Sequence, residues 1–160
     1  MPSSRHAIIL IPAHNEQVTV GAIVGQVRRR WNCPVVVIDD CSTDATGRMA
    51  RSAGATVLPL TLQLGAWGAI QTGLRYALRQ GYRIAITLDA DGQHEPAYIG
   101  KLFQPLAAGA ADVVIGAFPE RASRARQFAW AYFRRLTGLK LEDITSGFRA
   151  YNHAAMTVLA

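Results

Sequence analysis

The residues whose types and spacing best suit chemistry lie just after a short apolar run that ends at Leu88. Asp89, Asp91 and Gln93 alternate along this segment, and residues two apart in an extended chain point the same way. Hard cations such as Mg²⁺ take oxygen ligands, commonly one or two carboxylates completed by substrate phosphates. The spacing therefore predicts a metal site, although a polar turn before a helix would use the same residue types.

Two other kinds of metal site do not fit the sequence. A calcium-binding loop that began at Asp89 would need Gly and Glu where His94 and Gly100 stand. Zinc sites use Cys and His at paired spacings, and the two histidines and two cysteines considered as zinc ligands lack such spacing: His14, Cys33, Cys41 and His94.

A second polar cluster follows the apolar run 35–38 and begins with Asp39 and Asp40. Asp39 could accept hydrogen bonds from a base or a ribose, and Asp44 could cap or position the following helix. The alternative is that Asp40, Ser42, Thr43 and Asp44 only shape a loop and a helix start.

Glycines in the segment 65–73 suggest a third place where a ligand could approach. The frame from Gly68 to Gly73 is similar to a phosphate-binding P-loop, but Leu74 and Arg75 replace the required Lys and Ser or Thr. No Gly-x-Gly-x-x-Gly is present, which argues against a dinucleotide oxidoreductase. Glycines at a helix start can still bring a ligand close to backbone N–H groups, and simple helix packing explains them equally well.

The segment 121–140 concentrates positive charge, with cations at Arg121, Arg124, Arg126, Arg134, Arg135 and Lys140. Four aromatic residues lie between them. Such a run is usually a solvated helix face, but it also suits a surface that meets lipid phosphates and acyl chains.

Strand and helix patterns alternate along the chain. Apolar runs predict strands at 7–11, 35–38, 56–58, 83–88 and 112–115. Periodic segments predict helices at 20–31, from Ser42 or Thr43 to 54, and at 66–80, 96–107 and 123–136. This order predicts an α/β fold with a mostly parallel sheet and helices on both faces. Because ligands gather at the carboxyl ends of such strands, the polar clusters there predict one common site.

The length, composition and net charge of the chain fit one globular domain that binds an anionic partner. The chain has 160 residues, half of them hydrophobic, and a net charge of +6. No apolar run approaches the roughly 20 residues of a membrane span, and the two cysteines do not make a disulfide framework. We expect a cytoplasmic protein with peripheral contact to the membrane face. Nucleic acid is not the expected partner, because the cations do not form one continuous stripe.

Taken together, six segments resemble the family 2 glycosyltransferases, especially the polyprenyl-phosphate (dolichol-phosphate) mannose or glucose synthases. These segments span nearly the whole chain in the family's order: 11–16, 37–46, 64–77, 87–96, 111–116 and 145–149. The resemblance implies a GT-A, Rossmann-like fold. It also implies that the chain is C-terminally incomplete, because the family's catalytic domains continue past the Gly-Phe-Arg motif.

The resemblance also implies roles for individual residues. The residues expected to bind the nucleotide-sugar donor are Pro12, Ala13, Glu16, Asp39, Asp40, Gly68, Asp89 and Ala90. Mg²⁺ or Mn²⁺ would be held at Asp89, Asp91 and Gln93, and Ser146 and Arg149 would approach the acceptor. The concentration of positive charge in the segment 121–140, and not the resemblance, adds Arg121 and Arg124 to the residues expected to bind a lipid-phosphate acceptor. Asp91 is also expected to be catalytic. A hydroxyl acceptor would need a general base, and Asp143 is the nearest candidate by its place in the sequence. The chain departs from the family pattern in three places. His14 stands in place of Tyr, Cys41 in place of Gly, and Gln63 with Leu64 in place of an Asn-containing loop.

The expected reaction is metal-dependent transfer of a sugar from a nucleotide diphosphate-sugar to a polyprenyl phosphate, with inversion at the anomeric carbon. Two alternatives remain open from the sequence. One is a nucleotidyltransferase, which shares an alternating fold and metal-held phosphates. The other is a non-catalytic domain that binds nucleotides or nucleic acid.

Overall fold

Six strands of the described chain form one twisted sheet. The computed structural model describes residues 6–91, 96–116 and 146–160. The strands are β1 (Ala7–Ala13), β2 (Val35–Asp39), β3 (Thr56–Pro59), β4 (Ile84–Thr87), β5 (Val113–Ile115) and β6 (Arg149–Asn152). Their order across the sheet is β3-β2-β1-β4-β6-β5.

Helices connect the parallel strands. They are α1 (Val20–Arg30), α2 (Thr46–Ser52), α3 (Gly65–Arg79), α4 (Ile99–Ala107), which a 3₁₀ turn (Pro96–Tyr98) precedes, and α5 (His153–Leu159). None of the helices in the described ranges is both long and apolar enough to cross a bilayer.

The strand order reverses beside β1. β1 pairs in parallel with both β2 and β4, so the chain moves outward to β3 and then returns past β1 to form β4. Such a reversal leaves a crevice at the carboxyl ends of the central strands. β6 runs antiparallel between β4 and β5.

The core has two layers because β1 is buried on both faces. Ile9 and Ile11 pack with residues of α1, α2 and α4, whereas Ile8 and Leu10 pack with residues of α3 and α5. This burial explains the continuous apolar run of β1, in which each buried Ile or Leu contributes about 1.5–3 kcal/mol.

The observed elements correct several predicted boundaries. α2 begins at Thr46 and not directly after Ser42 or Thr43, because the Asp44 carboxylate accepts the Thr46 N–H at 2.9 Å. Pro96 begins the 3₁₀ turn, and the α-helix starts three residues later. β6 was not predicted at all. The predicted helix 123–136 lies outside the described residues.

Candidate functional site

A pocket of about 270 Å³ lies where the central parallel strands end. Its walls come from the end of β1, the loop after β2, the start of α3 and the segment after β4. The lining residues are Pro12, Ala13, His14, Glu16, Asp40, Gln63, Gly65, Ala66, Ala69, Asp89, Ala90 and Asp91. The predicted convergence of three strand ends on one site is therefore observed.

Most of the described residues expected to bind the donor or the metal line this pocket. They are Pro12, Ala13, Glu16, Asp40, Asp89, Ala90 and Asp91. Asp39, Gly68, Ser146 and Arg149 are described but are not among its lining residues. Gln93, Arg121, Arg124 and Asp143 lie outside the described residues.

The loops after β1 and β2 are joined by hydrogen bonds that involve side chains. The Asn15 N–H donates to Ser42 Oγ at 3.0 Å, and the Thr43 N–H donates to Asn15 Oδ1 at 2.9 Å. The Gln17 N–H donates to the Asp44 carboxylate. Slight burial would raise the pKa of Asp44, but hydrogen bonds from Thr46 and Gln17 outweigh it and lower that pKa. This network fixes two walls of the pocket relative to each other.

Glu16 is held in place from two sides. Its backbone N–H donates to Thr46 Oγ1 at 2.7 Å, and the Thr19 hydroxyl donates to its carboxylate at 2.8 Å. Thr46 is fully buried and Glu16 is half-buried. The carboxylate therefore keeps a defined position at the pocket wall.

Two residues in these loops adopt left-handed backbone conformations. Asn15 has φ 56° and Cys41 has φ 59°. Non-glycine residues rarely adopt these values, and strained positions of this kind cluster at functional sites. The value at Cys41 gives a physical reason why a glycine would suit this position, since glycine adopts positive φ without steric strain.

The Asp40 carboxylate anchors helix α3. The N–H groups of Leu64 and Gly65 donate to its two oxygens, at 2.7 and 2.9 Å. The side chain is only 3% exposed. A helix start carries unpaired N–H groups and a positive dipole end, which a carboxylate stabilises. Asp40 thus lines the pocket while both of its oxygens hold the helix that forms one wall.

His14 has a defined tautomer at the pocket wall. Its Nδ1 lies 2.8 Å from the carbonyl oxygen of Asp40, which can only accept, so Nδ1 carries the hydrogen. Its Nε2 then accepts from the Asn15 side-chain amide at 3.2 Å.

Asp39 and Gly68 do not line the pocket, and each has close neighbours in the protein itself. Asp39 Oδ1 accepts the Ser42 N–H at 3.1 Å, and a Cβ added at Gly47 would lie 2.6 Å from Asp39 Oδ2. A Cβ added at Gly68 would lie 2.6 Å from Leu64 Cβ. Gly68 is therefore explained by close packing at the start of α3, which was one of the two interpretations open from the sequence.

Asp89 and Asp91 both line the pocket after β4, with Asp89 half-buried and Asp91 exposed. Their oxygens are the donor type that Mg²⁺ and Mn²⁺ take. Within the described ranges, no group of three or more His, Cys, Asp or Glu side chains is placed to hold a metal ion. The two carboxylates fit a cation whose remaining ligands come from other groups, such as phosphate oxygens.

Gly147 packs directly against the Asp89 carboxylate. A Cβ added at Gly147 would lie 1.9 Å from Asp89 Oδ1 and 2.5 Å from Asp89 Oδ2. The Gly147 carbonyl accepts from the buried Thr87 hydroxyl at 2.6 Å, which fixes this backbone beside the end of β4. Sequence reasoning missed Gly147 as a site residue. Its place inside the 146–149 motif was the available signal.

The turn formed by residues 146–149 is closed by its own hydrogen bonds. The Phe148 N–H donates to Ser146 Oγ at 3.2 Å, and Arg149 Nε donates to the Ser146 carbonyl at 2.7 Å. Because Arg149 lies opposite Thr87 in the register, the turn lies beside Asp89.

Tyr151, two residues farther along β6, has an unpaired buried hydroxyl. The side chain is 1% exposed, and no hydrogen-bond partner reaches the hydroxyl among the described residues. Burial raises the pKa of Tyr151. The Arg149 and Thr87 side chains oppose this rise, whereas the negative charge of Asp89 adds to it. An unsatisfied buried hydroxyl destabilises a fold by about 1–3 kcal/mol.

Comparison with solved structures supports the fold assignment. A crystal structure of glucosyl-3-phosphoglycerate synthase from Mycobacterium tuberculosis, in complex with Mn²⁺, uridine-diphosphate-glucose and phosphoglyceric acid, superposes with a TM-score of 0.76 at 22% identity. The match covers 94% of this chain and 57% of that one. The fold is therefore GT-A.

Curated relatives match most of the chain. Polyprenol monophosphomannose synthase from Mycolicibacterium smegmatis is 31% identical over 96% of this chain. Undecaprenyl-phosphate mannosyltransferase from Micrococcus luteus is 34% identical over 90% of it. The matches cover 64% and 65% of those relatives' own lengths. The family model of glycosyl transferase family 2 matches residues 8–158, so the chain belongs to that family.

Proposed function

We propose that this chain transfers a sugar from a nucleotide diphosphate-sugar to a polyprenyl phosphate, with a divalent metal and with inversion. The observation that carries the proposal is the pair of carboxylates, Asp89 and Asp91, in a pocket at the carboxyl ends of the parallel strands. The polyprenyl phosphate acceptor is supported by the names of the two relatives from M. smegmatis and M. luteus.

In the proposed reaction, a phosphate oxygen of the acceptor attacks the anomeric carbon of the donor. The new carbon–oxygen bond forms on the face opposite the diphosphate while the bond to the diphosphate breaks, so a nucleoside diphosphate leaves with the electron pair. Because a phosphate is already anionic, it needs no strong general base. Asp143 is the proposed base only where the acceptor is a hydroxyl.

Different residues at the strand ends are proposed to contact different parts of the donor. Pro12, Ala13 and Glu16 are proposed to lie along the nucleotide, with Asp39 toward its base. Asp89 and Asp91, together with Gln93, are proposed to hold Mg²⁺ or Mn²⁺. A cation bound there supplies charge stabilisation for the departing diphosphate.

The acceptor is proposed to bind beside the same edge. Ser146 and Arg149 belong to the turn that packs against Asp89, and Arg121 and Arg124 are proposed to contribute further charge. The basic and aromatic segment 121–140 is the proposed place of peripheral contact with a membrane face.

A transfer assay tests this function. The 160-residue chain is incubated with a panel of nucleotide-sugars, Mn²⁺ and a polyprenyl phosphate, and the products are separated by mass. The expected products are a glycosylated polyprenyl phosphate and a nucleoside diphosphate. Release of pyrophosphate would instead identify a nucleotidyltransferase. The Asp89→Asn variant is expected to lose the reaction, and Asp112→Asn, at the start of the β5 region, is expected to retain it.

A further inference from the structure

Thr87 carries a fully buried hydroxyl at the end of a central strand. It is the last residue of β4, it is 0% exposed, and it pairs with Leu10 on one side and Arg149 on the other. Its hydroxyl donates to the Gly147 carbonyl at 2.6 Å, and the Arg149 carbonyl lies farther away, at 3.4 Å. Valine has the same branched shape and no hydroxyl to remove from water, so packing alone does not explain a threonine here.

Gly147 lies directly opposite Asp89. β4 and β6 pair antiparallel with Thr87 opposite Arg149, and two further steps of this register bring Gly147 opposite Asp89. The Asp89 carboxylate occupies the space that a side chain at Gly147 would fill, because a Cβ there would overlap Asp89 Oδ1 and lie 2.5 Å from Oδ2. The carboxylate therefore rests against the Gly147 backbone, which the Thr87 hydroxyl holds.

We propose that Thr87 is a positioning residue that acts through Gly147. Its hydroxyl fixes the Gly147 carbonyl, and the Gly147 backbone then limits how the Asp89 side chain can rotate. The carboxylate thus stays directed toward a divalent cation in the pocket. Thr87 itself is fully buried and is not among the residues that line the pocket. The inference rests on the proposed function, since the cation and the diphosphate at Asp89 belong to it.

Preorganisation of the carboxylate explains why one buried hydrogen bond affects binding. A cation held by protein carboxylates and phosphate oxygens binds most tightly when the carboxylates already point toward it. Groups that orient a metal-binding side chain therefore influence affinity without touching the metal. Asp89 is half-buried whereas Asp91 is exposed, so packing controls the direction of Asp89 more than that of Asp91.

Substitutions at Thr87 separate the hydroxyl from the methyl group. Thr87→Val keeps the branched shape and removes the hydroxyl, whereas Thr87→Ser keeps the hydroxyl and removes the methyl group. Thr87→Ala, compared with Thr87→Ser, gives a second pair that differs mainly in the hydroxyl. Thr157→Val is the matched control, because the Thr157 hydroxyl also donates to a carbonyl, that of His153 at 2.8 Å, and no residue of its helix α5 lines the pocket.

The measured quantities are Tm and the dissociation constant of a nucleoside diphosphate. A panel of nucleoside diphosphates is first tested on the wild type by calorimetry with Mn²⁺, and the diphosphate that binds most tightly is then used for every variant, with Mn²⁺ and with EDTA. Binding in EDTA is compared because only the metal-dependent part of the affinity requires a directed Asp89 carboxylate.

Thr87→Val is expected to weaken binding with Mn²⁺ about five- to tenfold and to leave binding in EDTA unchanged. Thr87→Ser is expected to stay within about twofold of the wild type although its Tm falls, because loss of a buried methyl group destabilises the core without releasing the Gly147 carbonyl. Thr87→Ala should weaken binding as Thr87→Val does, and Thr157→Val should not. Wild-type affinity in Thr87→Val, or equal losses in Thr87→Val and Thr87→Ser, would overturn the inference.

Gly147→Ala tests whether Thr87 acts through this glycine. The added Cβ displaces the Asp89 carboxylate by itself. The Thr87→Val/Gly147→Ala double variant should therefore bind no more weakly than Gly147→Ala alone. Losses that add together in the double variant would contradict a route through Gly147.

Binding and transfer together distinguish failure of this inference from failure of the proposed function. A wild type that binds the diphosphate with Mn²⁺ but transfers no sugar refutes the proposed transfer, while the binding data on the variants still decide the role of Thr87. A wild type that transfers sugar, with Thr87→Val binding as tightly, refutes the role of Thr87 alone. Equal binding by the wild type with Mn²⁺ and with EDTA refutes both.

Discussion

Two adjacent carboxylates at the end of β2 are held in different ways. Asp40 is buried and both of its oxygens accept N–H groups at the start of α3. Asp39 is half-buried, and one of its oxygens accepts the Ser42 N–H. The fold therefore depends on Asp40 for a helix start, while Asp39 has acceptor capacity left for a ligand.

Asp39→Ala is expected to weaken nucleoside diphosphate binding about tenfold while Tm falls by only a few degrees. The physical reason is loss of about 1.4 kcal/mol of hydrogen bonding to the nucleotide, with a single local contact removed from the fold. Calorimetry and thermal unfolding measure the two effects. Asp112→Ala removes a carboxylate that accepts from Asn152 far from the pocket, and should leave affinity unchanged. A large loss of Tm in the ligand-free Asp39 variant would instead make the residue structural.

Gly147→Ala is expected to reduce metal-dependent nucleotide affinity more than tenfold. The added Cβ would lie 1.9 Å from Asp89 Oδ1, so the carboxylate or the turn must move. Affinity measured in EDTA should change little, since only the metal ligand is displaced. Gly21→Ala is the control, because its Cβ would make an ordinary 3.7 Å contact with the Met49 carbonyl oxygen. Unchanged affinity in the presence of Mn²⁺ would contradict the assignment of Asp89.

Sequence reasoning placed the candidate site at the strand ends that line the pocket but could not assign a role to every residue there. Asp89 and Asp91 were recognisable because alternating carboxylates follow an apolar strand, and both line the pocket. Asp39 and Asp40 were not separable, since the direction of each side chain depends on where α3 begins. Gly147 and Tyr151 depend on contacts across β4 and β6, which are about 60 residues apart in sequence, and no local pattern reports them.

At the scale of elements, α3 is attached to the sheet at its first turn by one carboxylate and along its length by apolar packing. Gly73 supports this packing, because a Cβ there would lie 3.0 Å from the Cδ1 atoms of Ile38 and Leu10. The residues before and within the first turn, Gln63, Gly65 and Ala66, line the pocket. The shape of the pocket therefore depends on how firmly the start of α3 is held.

Asp40→Asn is expected to lower the free energy of unfolding by about 1–3 kcal/mol, because an amide nitrogen replaces one of the two carboxylate oxygens and removes a charge-assisted hydrogen bond from an N–H at the start of α3. Urea denaturation measures this change. Asp112→Asn, at an exposed carboxylate that accepts from the Asn152 side chain, is the control and should have a smaller effect. Wild-type stability in Asp40→Asn would show that the carboxylate does not anchor α3.

The element pattern predicted the parallel half of the sheet better than the antiparallel part. β1 and β2 were recognisable as continuous apolar runs because both of their faces are buried. β6 has only four residues, two of them polar or charged, and it was missed. Its place between β4 and β5 is set by pairing with distant strands, and strand–helix alternation cannot indicate such an insertion.

At the scale of the whole molecule, nucleotide binding should depend on a divalent metal. Nucleoside diphosphates are expected to bind at least tenfold more weakly in EDTA than with Mn²⁺, because the diphosphate and the two carboxylates after β4 repel each other without a cation between them. Calorimetry with a panel of nucleoside diphosphates checks this. Asp91→Asn should reduce the metal dependence, whereas Asp112→Asn should not. Equal affinity under both conditions would contradict the metal assignment.

The distribution of charge on the whole molecule leads to a final prediction about the acceptor. The net charge is +6, and the segment 121–140 holds six of the cations. Arg121→Ala combined with Arg124→Ala is expected to raise the KM for a polyprenyl phosphate tenfold or more and to leave donor affinity unchanged. Charge-assisted hydrogen bonds to a phosphate contribute about 1.5–3 kcal/mol each, and about 1.4 kcal/mol is a factor of ten.

Arg29→Ala combined with Arg30→Ala is the matched control for this double variant, because it makes the same change in net charge at the exposed end of α1. That end of α1 leads into β2 and so lies at the edge of the sheet opposite the pocket. If loss of charge alone weakened the attraction of an anionic lipid, both double variants would raise the acceptor KM equally. An effect confined to Arg121 and Arg124 indicates direct contact with the acceptor phosphate. A fall in donor affinity without a change in acceptor KM would contradict the assignment of these arginines to the acceptor side.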